Sequence, residues 1–582
     1  MKTVLIYNRI DALKYIRSGI KGGQILPLTP DANAQLINCK SRVLDSCELF
    51  NKCEQRKVIS RLRKVEQQFW LAVKKNIVFS ESSKETIRGV FHLFASAVYT
   101  LHHTIYKTGP WILNYNGKWI ETNEIMTVNR YLIKSIYYNY PGIFQVNKKD
   151  YPIFEGLRKK INKLIINRIK NKKNIWITAE EYGLGHLSKK FIESNPNSYI
   201  ITLAEPKRLA IIRAIFTFIN LFYNKNKVVK LELSYSNSEL PYNNMINQII
   251  SSIKDPILLN VRDVLSDLLF NCTQYCESLL ESADSIIKNC KPKYLIAHQL
   301  RWLAGSIAGS VAKNNNMHTF LISHGSHTKP YNITSAYVAR EHARGLLFSS
   351  FADELIAQSP NAAKALDYYS NNIKVKKYKP LMWGINNQEI RSIDRSQEKM
   401  TILHAGTYKP LGMRPWMYET SNEYLKGLIL LVNTIDQLDN ISLIIRFRPN
   451  YECSVKSLKA LLSNTNCFEL STKGSFSDDL LRSNMLISYS STCIEEALHA
   501  RIPVGLFGAY PERYRHIMGA VVHPRAMGRN AIYNLNHNDL AESISTILDL
   551  HKNSGLSDNE LKDFIWNDNV PNTNDFIKRI SN

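Results

Sequence analysis

Short runs of β-branched and aliphatic residues alternate with stretches of helical periodicity along most of this chain. In the first part they predict strands at Ile175–Thr178, Tyr199–Leu203, Tyr294–Ala297 and His318–Ser323. Further along they predict strands at Glu354–Ala357, Met400–Leu403, Ile441–Ile445, Met485–Ser488 and Pro503–Phe507. Intervening segments such as Val261–Asn289 and Leu303–Lys313 have a helical pattern. This alternation predicts an α/β protein with parallel sheets covered by helices on both faces.

The strands form two successive series, which predicts two Rossmann-like domains with a cleft between them. We place the first domain at residues 1–345 and the second at residues 346–582. The run Met1–Tyr7 fits a first strand, and about residues 56–140 are mostly helical in pattern. In open α/β sheets, ligands bind beyond the carboxyl ends of the strands. Residues that follow the predicted strands are therefore the first candidates for chemistry.

The charge balance of the chain indicates what kind of partner it attracts. At 582 residues the chain exceeds a single hydrophobic core, and its net charge is +25. A positive field attracts phosphates, nucleic acids or an anionic membrane face, although the lysine and asparagine bias of an AT-rich genome would produce a similar excess. The basic residues are spread out without a nucleic-acid-binding motif, so we expect no nucleic-acid partner.

Cysteine usage and hydropathy indicate the compartment. Nine scattered cysteines without a Cys-x-x-Cys pair argue against a zinc site or a disulfide framework and favour a reducing cytoplasm. The first apolar run is too short for a signal peptide, and no stretch reaches the ~18 apolar residues of a membrane span. Residues Ile211–Tyr223, flanked by basic residues, fit a helix on a membrane surface or a buried helix with solvated ends. We favour the buried helix, and a peripheral contact with an anionic membrane stays open.

The first polar segment in the second half of the chain follows the strand at residues 400–403. Gly406 allows close approach of the backbone to a ligand, and the Thr407 hydroxyl can donate to a phosphate. An ordinary strand–loop junction has the same appearance, so this segment is a weak signal on its own.

The second segment, Arg446-Phe447-Arg448-Pro449, stands where a buried strand emerges. Guanidinium groups bind phosphates and carboxylates through two parallel hydrogen bonds. Solvated loop arginines are the alternative interpretation for Arg446 and Arg448.

The third segment is the most specific. A strand ends in Ser490, Ser491 and Thr492, and a helix follows in which Glu495 stands three residues after Thr492. That spacing predicts a capping box. The free amides and positive dipole of the helix start can hold the phosphate of a nucleotide.

Two histidine-bearing loops follow strands in the first half of the chain. His324 and His327 flank a Gly-Ser pair, and His298 follows the preceding strand and is expected to face the same cleft. Imidazoles at such places can accept a proton or bind phosphate. Incidental histidines on a surface loop are the alternative.

Glu180 and Glu181 follow the strand at residues 175–178 and precede a Gly-x-Gly turn. They are placed to act as a base or a nucleophile, or they stabilise a helix dipole from its first turn. The turn lacks the third glycine of a dinucleotide fingerprint and the spacing of a Walker A loop, which disfavours NAD and ATP.

The ordered trio His404–Thr407, Arg446–Pro449 and Ser490–Thr492 resembles the donor-nucleotide elements of GT-B glycosyltransferases, in particular their Kdo-transferase and capsule-synthesis branches. The loop at residues 323–327 is similar to the His-Gly loop of capsule glycosyltransferases and polyol-phosphate transferases. This chain has Arg448-Pro449 where many members have His-Pro. The resemblance covers about residues 400–510 well and the first half only in general layout.

The resemblance implies a GT-B-like fold with an acceptor-binding, catalytic first domain and a donor-binding second domain. It implies transfer of a CMP-activated 3-deoxy-ulosonic acid, Kdo-like or sialic-like, onto a bacterial surface polysaccharide. Such donors carry a carboxylate and a phosphate, which suits Arg446, Arg448 and Lys409. Glu180, Glu181, His298, His324 and His327 are the candidate catalytic residues, and Gly406, Thr407, Ser490, Ser491, Thr492 and Glu495 complete the donor site.

Three alternatives to this interpretation stay open. The same fold can use a UDP-sugar, or CDP-glycerol with phosphotransfer, and a non-catalytic scaffold of a polysaccharide assembly complex belongs to another class. We expect no cofactor and no metal, since no Asp-x-Asp stands at a strand end and Asp478-Asp479 opens a predicted helix.

Overall fold

The computed structural model describes most of the chain. It covers residues 1–582 apart from positions 21–22, 38, 40, 76–78, 140–153, 179–183, 208, 223–226, 237–241, 324, 326–332, 370–372, 383–398, 407, 410–417, 451, 463–466, 509–516, 518, 522–527, 568 and 582. The described residues form three large sheets and one two-stranded sheet. Each large sheet has helices packed on it, and we call the resulting units the N-terminal module, the central domain and the C-terminal domain.

The N-terminal module spans residues 1–139 and is built on a five-stranded sheet of order β3-β2-β1-β4-β5, in which β5 alone runs antiparallel. Its strands are β1 Thr3–Ile6, β2 Gln24–Pro27, β3 Arg42–Val43, β4 Trp111–Tyr115 and β5 Lys118–Thr122. Its helices are α1 Arg9–Ser18, α2 Pro30–Leu36, α3 Ser46–Leu49, α4 Lys52–Lys75, α5 Glu81–Ile105 and α6 Ile125–Asn139. The hairpin of β4 and β5 interrupts the segment that the sequence predicts as mostly helical.

The central domain starts at residue 155 and contains seven parallel strands in the order β12-β11-β10-β9-β6-β7-β8. They are β6 Lys173–Ile177, β7 Ser198–Ala204, β8 Val228–Glu232, β9 Tyr294–Ala297, β10 His318–Ile322, β11 Glu354–Ala357 and β12 Lys374–Lys377. The helices are α7 Glu155–Ile169, α8 Gly185–Ser194, α9 Ala210–Phe222, α10 Tyr242–Ser251, α11 Pro256–Leu259, α12 Arg262–Cys290, α13 Trp302–Asn314, α14 Ile333–Ala343 and α15 Pro360–Tyr369.

The C-terminal domain has seven parallel strands in the order β17-β16-β13-β18-β19-β21-β20 and a separate β14–β15 pair. The strands are β13 Met400–Ala405, β14 Tyr408–Lys409, β15 Glu419–Thr420, β16 Ile441–Arg446, β17 Phe468–Ser471, β18 Met485–Ser488, β19 Val504–Leu506, β20 Ala520–Val521 and β21 Ile532–Asn534. The helices are α16 Ser421–Ile435, α17 Val455–Leu461, α18 Phe476–Leu481, α19 Cys493–His499, α20 Leu540–His551, α21 Asp558–Leu561 and α22 Thr573–Ser581.

Both seven-stranded sheets have Rossmann-like connectivity, because the first strand of each lies inside the sheet and the order reverses beside it. The reversal falls between β6 and β9 in the central domain and between β13 and β18 in the C-terminal domain. Two such domains facing a cleft are the arrangement of the GT-B fold, as the sequence predicts. No helix in the described part of the chain is long and apolar enough to cross a membrane.

The boundary expected at residues 345 and 346 does not divide the sheets. Strand β11 pairs with β10, and β12 pairs with β11, so both complete the central sheet. The division therefore falls between the end of β12 at Lys377 and the start of β13 at Met400. The N-terminal module, which the sequence grouped with the first domain, has a sheet of its own.

The N-terminal module contacts both Rossmann-like domains. Helix α5 is buried along most of its length against α12 and α13 of the central domain. On the other side, the backbone amide of Asp31 donates to the carbonyl of Glu452 at 3.0 Å, and the Asp31 carboxylate accepts from the amide of Ser454 at 2.7 Å. Asn422 donates to the carbonyl of Leu28 at 3.2 Å. The module therefore ties the two domains together outside the cleft.

Helix α9 differs from the buried helix that the sequence favours. Ile211, Ala214 and Leu221 are buried, while a second apolar face is exposed to solvent. The sequence of α9 has apolar residues around the whole helix. That pattern therefore could not show that the central sheet covers only one side of it.

Helix α22 packs on the central domain although it follows the C-terminal domain in the chain. Phe576 is fully buried, with its ring centroid 5.3 Å from those of Phe320 and Tyr378. Arg579 donates to the carboxylate of Glu354 in β11 at 2.6 Å. The last helix of the structure therefore belongs to the core of the central domain.

We expect Phe576→Ala to lower the free energy of unfolding of the protein by about 3–5 kcal/mol, because it leaves a cavity beside Phe320. Urea denaturation followed by tryptophan fluorescence measures the change. Lys578→Ala, at an exposed position of the same helix, is the matched control and should stay within about 0.5 kcal/mol of the native protein. Equal effects of the two substitutions would contradict this packing.

Candidate functional site

The carboxyl ends of β13, β16 and β18 meet at the point where the strand order of the C-terminal sheet reverses. A cavity of about 290 Å³ lies there and is bounded on its far side by the central domain. Its walls are formed by Gly325, His342, Ala405, Gly406, Lys409, Tyr418, Arg446, Arg448, Phe476, Ser490, Ser491, Thr492, Cys493, Glu495, Glu496 and Ile517. A reversal of strand order leaves such a crevice for ligands. The structure thus brings the three segments predicted from the second half of the sequence to one cavity.

Aromatic packing supports the turn at Gly406. A Cβ on Gly406 would lie 3.1 Å from Cε2 of Tyr424, and the Tyr424 ring centroid lies 4.9 Å from that of Tyr408. Burial lowers the pKa of the neighbouring His404 to about 4, so its imidazole is uncharged at neutral pH. The turn at Gly406 therefore packs against aromatic and uncharged side chains.

Arg446 lines the cavity but has a structural role that the sequence did not indicate. Its guanidinium forms a salt bridge of 2.9 Å to Asp479 and donates to the carbonyls of Lys473 at 2.7 Å and Gly474 at 2.6 Å. The same group donates to Ser471 at 3.0 Å. Asp479 lies in the first turn of α18, where the sequence placed it. Arg446 therefore holds the loop between β17 and α18.

Arg448 is exposed on the loop after β16 and reaches the same cavity. Within the described part of the chain it forms no hydrogen bond or salt bridge, so its guanidinium fork is open toward the cavity. Lys409 adds a second positive charge, with its ammonium 4.9 Å from the ring centroid of Tyr418. The cavity is therefore suited to an anionic ligand.

The hydroxyl residues after β18 are arranged differently from the predicted capping box. Thr492 is at the N-cap of α19 but has helical dihedral angles, and its side chain makes no capping hydrogen bond. The Ser491 side chain makes the capping hydrogen bond instead, since its hydroxyl accepts from the backbone amide of Cys493 at 3.3 Å. Ser490 is 2% exposed, and its hydroxyl has no hydrogen-bond partner among the described residues. A buried hydroxyl in this state is a candidate ligand contact.

Two adjacent carboxylates of α19 line the cavity. Glu495 is buried, and its Oε2 would lie 3.7 Å from a Cβ on Gly325. Burial raises the pKa of Glu496 to about 7, against the lowering effect of the Arg448 charge. A carboxyl group with this pKa can gain or lose a proton near neutral pH, as a general acid or base must.

The central domain contributes Gly325 and His342 to the cavity. Gly325 has a φ of +79°, and a Cβ there would lie 3.0 Å from Cγ2 of Thr492 in the other domain. His342 lies in the last turn of α14, with its Nε2 3.2 Å from the Tyr418 hydroxyl. The cavity is thus an interdomain site, and a side chain at position 325 would press on the opposite wall.

His298 does not face the cleft as the sequence predicts. Its side chain is 4% exposed, and it is not among the residues that line the cavity. Burial and, to a smaller extent, the positive charge of Arg301 lower its pKa to about 4. The imidazole is therefore neutral at pH 7 and lies outside the wall of this cavity, and its role as a base stays a prediction from the sequence.

The other candidate catalytic residues fall in segments outside the described part of the chain. Glu180, Glu181, His324 and His327 lie outside the described residues, as does Thr407 of the donor-binding set. Among the residues that the structure does describe, no three His, Cys, Asp or Glu side chains gather as metal ligands.

Sequence reasoning missed Glu496, His342 and Tyr418. Glu495 and Glu496 stand side by side in the sequence, and only the folded environment raises the pKa of the second. His342 lies within a helix, far along the chain from any predicted strand end, so the strand-end rule could not identify it.

Comparison with known proteins finds solved structures that align with much of the chain, but at low identity and low TM-score. No family model and no curated protein matches the chain. The UDP-GlcNAc 2-epimerase of Methanocaldococcus jannaschii aligns at a TM-score of 0.38 and 12% identity, over 70% of this chain and 99% of that one. Anabaena Alr3699/HepE, solved with UDP and glucose, aligns at 0.37 and 12%, over 71% and 98%. A UGT transferase of Siraitia grosvenorii with UDP aligns at 0.36 and 8%, over 71% and 100%. Similarity this low says nothing about the reaction.

We expect Glu496→Gln to stabilise the ligand-free protein at and above pH 7. The pKa of this carboxyl rises from an ordinary 4.5 to about 7 on folding, so folding favours its protonated form. That contribution is fully present below pH 4.5 and is lost as the pH rises through 7. Glutamine stays neutral at every pH. The melting-temperature difference between variant and native protein should therefore grow between pH 4.5 and 8.

Glu542→Gln is the matched control, since Glu542 is exposed on α20. It should change the melting temperature little, and equally at each pH. A Glu496→Gln profile parallel to that of the native protein would show that Glu496 ionises as an ordinary surface carboxylate.

Proposed function

We propose that this chain is a GT-B glycosyltransferase whose interdomain cavity binds a nucleotide-sugar. The observation that carries the proposal is the convergence of the segments at residues 405–409, 446–448 and 490–496 on one cavity that the central domain closes. Ligands of Rossmann-like sheets occupy this position. An interdomain cavity allows one domain to hold the donor while the other presents the acceptor.

Arg448 and Lys409 are the proposed contacts for the negative charges of the donor. A CMP-linked 3-deoxy-ulosonic acid carries one phosphate and one carboxylate, and both are ligands for guanidinium and ammonium groups. The buried hydroxyl of Ser490 offers a further hydrogen bond. Fixed positive charges and hydrogen-bond donors stabilise the negative charge of the nucleotide as it leaves, and this stabilisation does not require a metal. We propose this donor, with a surface glycan as the acceptor.

Glu496 is the proposed proton-transfer group among the described residues. It lies in the cavity wall, and its pKa of about 7 matches general acid–base chemistry at neutral pH. Five residues stay predictions from the sequence for the group that acts on the acceptor or on the anomeric carbon: Glu180, Glu181, His298, His324 and His327.

We expect CMP to raise the melting temperature more than UMP, UDP or GDP does. Ligand at 100 times its dissociation constant stabilises the native state by about 2.7 kcal/mol. A thermal-shift panel of the four nucleotides measures the order. A shift by UDP without one by CMP would replace the proposed donor by a UDP-sugar. Absence of donor hydrolysis and of any nucleotide shift would favour a non-catalytic scaffold instead.

The two arginines should separate donor binding from folding. Arg448→Lys keeps the charge but loses the two-pronged hydrogen bond, so we expect roughly tenfold weaker nucleotide binding with an unchanged melting temperature. Arg446→Lys loses contacts to Ser471 and Gly474, so we expect about 1–3 kcal/mol lower stability. Titration calorimetry and thermal melting measure both variants. Native binding by Arg448→Lys would remove Arg448 from the site.

A further inference from the structure

One side of helix α9 carries large apolar side chains that face solvent. They are Leu209, just before the helix, and Ile212, Ile215, Phe216, Ile219 and Phe222. Their spacing places them on one stripe of the helix, opposite the buried residues Ile211, Ala214 and Leu221. Phe216 is 60% exposed and Leu209 57% exposed, so these are not partly covered core residues. Exposed apolar stripes of this size mark contact surfaces.

Helix α7 packs beside α9 and extends the exposed surface with both apolar and basic side chains. Leu157, Lys160, Leu164 and Arg168 are exposed and recur every three or four residues, which places them on one face of α7. The Arg168 guanidinium lies 5.7 Å from the ring centroid of Phe222 and joins the two helices. We call the exposed side of α7 and α9 the α7–α9 face.

The charges around the α7–α9 face are overwhelmingly positive. Exposed basic residues on and just after α7 are Lys159, Lys160, Lys163, Arg168, Lys170 and Lys172. Helix α7 has one acidic residue, Glu155, which forms salt bridges with Arg158 and Lys159. Helix α9 has none, and its Arg213 pairs with the buried Glu232 at 2.9 Å. The apolar stripe therefore has a basic border whose positive charge is largely uncompensated.

These features select one kind of partner. With 13 residues α9 is about 20 Å long, short of the ~30 Å hydrocarbon core, so it can lie in the interface but cannot span it. A symmetric dimer through this face would oppose basic border to basic border, which is unfavourable. A negatively charged bilayer accepts both the apolar stripe and the lysines.

We propose that the α7–α9 face docks the protein on an anionic phospholipid surface, with α9 lying in the plane of the interface. Because α9 follows β7, its first turn lies at the carboxyl edge of the central sheet, the edge that also carries Gly325. Docking therefore places the β7 end of this carboxyl edge near the lipid headgroups, three strands along the sheet from β10, the strand that precedes Gly325. The proposal uses no property of the nucleotide site and stands independently of the proposed function.

Flotation of the full chain with lipid vesicles tests the docking. The probes are vesicles of phosphatidylcholine alone and of a two-to-one mixture of phosphatidylcholine and phosphatidylglycerol. We expect binding to the mixed vesicles that weakens as salt is added, and much weaker binding to the neutral ones. Absence of binding to mixed vesicles at low salt would overturn the proposal.

Substitutions on the stripe identify the surface. Ile212→Ser combined with Phe216→Ser should lower vesicle binding at least about tenfold. Ile10→Ser combined with Ile16→Ser, at equally exposed positions of α1, should leave it unchanged. Thermal melting of both double variants checks that they fold. Equal losses in the two pairs would overturn the assignment of the surface.

Substitutions of the border test the charge. Lys160→Ala combined with Lys163→Ala should lower binding to mixed vesicles several-fold, whereas Lys456→Ala combined with Lys459→Ala on α17 should not. Sedimentation velocity without lipid distinguishes a protein partner. A dimer that the Ile212→Ser and Phe216→Ser pair disperses, with unchanged vesicle binding, would assign this face to self-association instead.

Discussion

The parallel direction of every strand in both seven-stranded sheets is the constraint on which the site depends. Each connection must return over a face of the sheet, and the reversal of strand order beside β13 leaves a gap between neighbouring connections. Residues from distant parts of the chain meet in that gap because their strands end at the same edge. Arg446 then fixes one wall through Asp479, which leaves Arg448, two residues on, exposed at the cavity.

The N-terminal module adds a second constraint, on how far the two domains can separate. The buried Glu452 of the C-terminal domain accepts hydrogen bonds from Tyr7 in the module and from Ser421 at the start of α16. On its other side the module shares a continuous apolar core with α12 and α13. Gly325 and Thr492 approach closely within this frame. Any opening of the cleft must therefore either strain these contacts or carry the module with one domain.

Sequence reasoning found ten of the 21 described strands and half of the residues that line the cavity, because these follow local rules. Runs such as Met485–Ser488 and Tyr294–Ala297 are buried strands with the predicted bounds. Sequence reasoning failed where the burial or the pKa of a residue depends on segments that pack against it from elsewhere in the chain. Burial encloses His298 and raises the pKa of Glu496, and neither effect is visible in the residues nearby.

The position of helix α22 affects how the protein folds during its synthesis on the ribosome. Phe576, Ile577 and Ile580 fill a pocket lined by residues of β6, β10 and β11. The C-terminal domain is synthesised between those strands and this helix, so its whole sequence emerges while the central sheet still has an uncovered apolar side. During that interval the nascent chain exposes the apolar surface of the central sheet that α22 later covers, and chaperones bind such surfaces. The central domain therefore begins before the C-terminal domain in the chain but can be completed only after it.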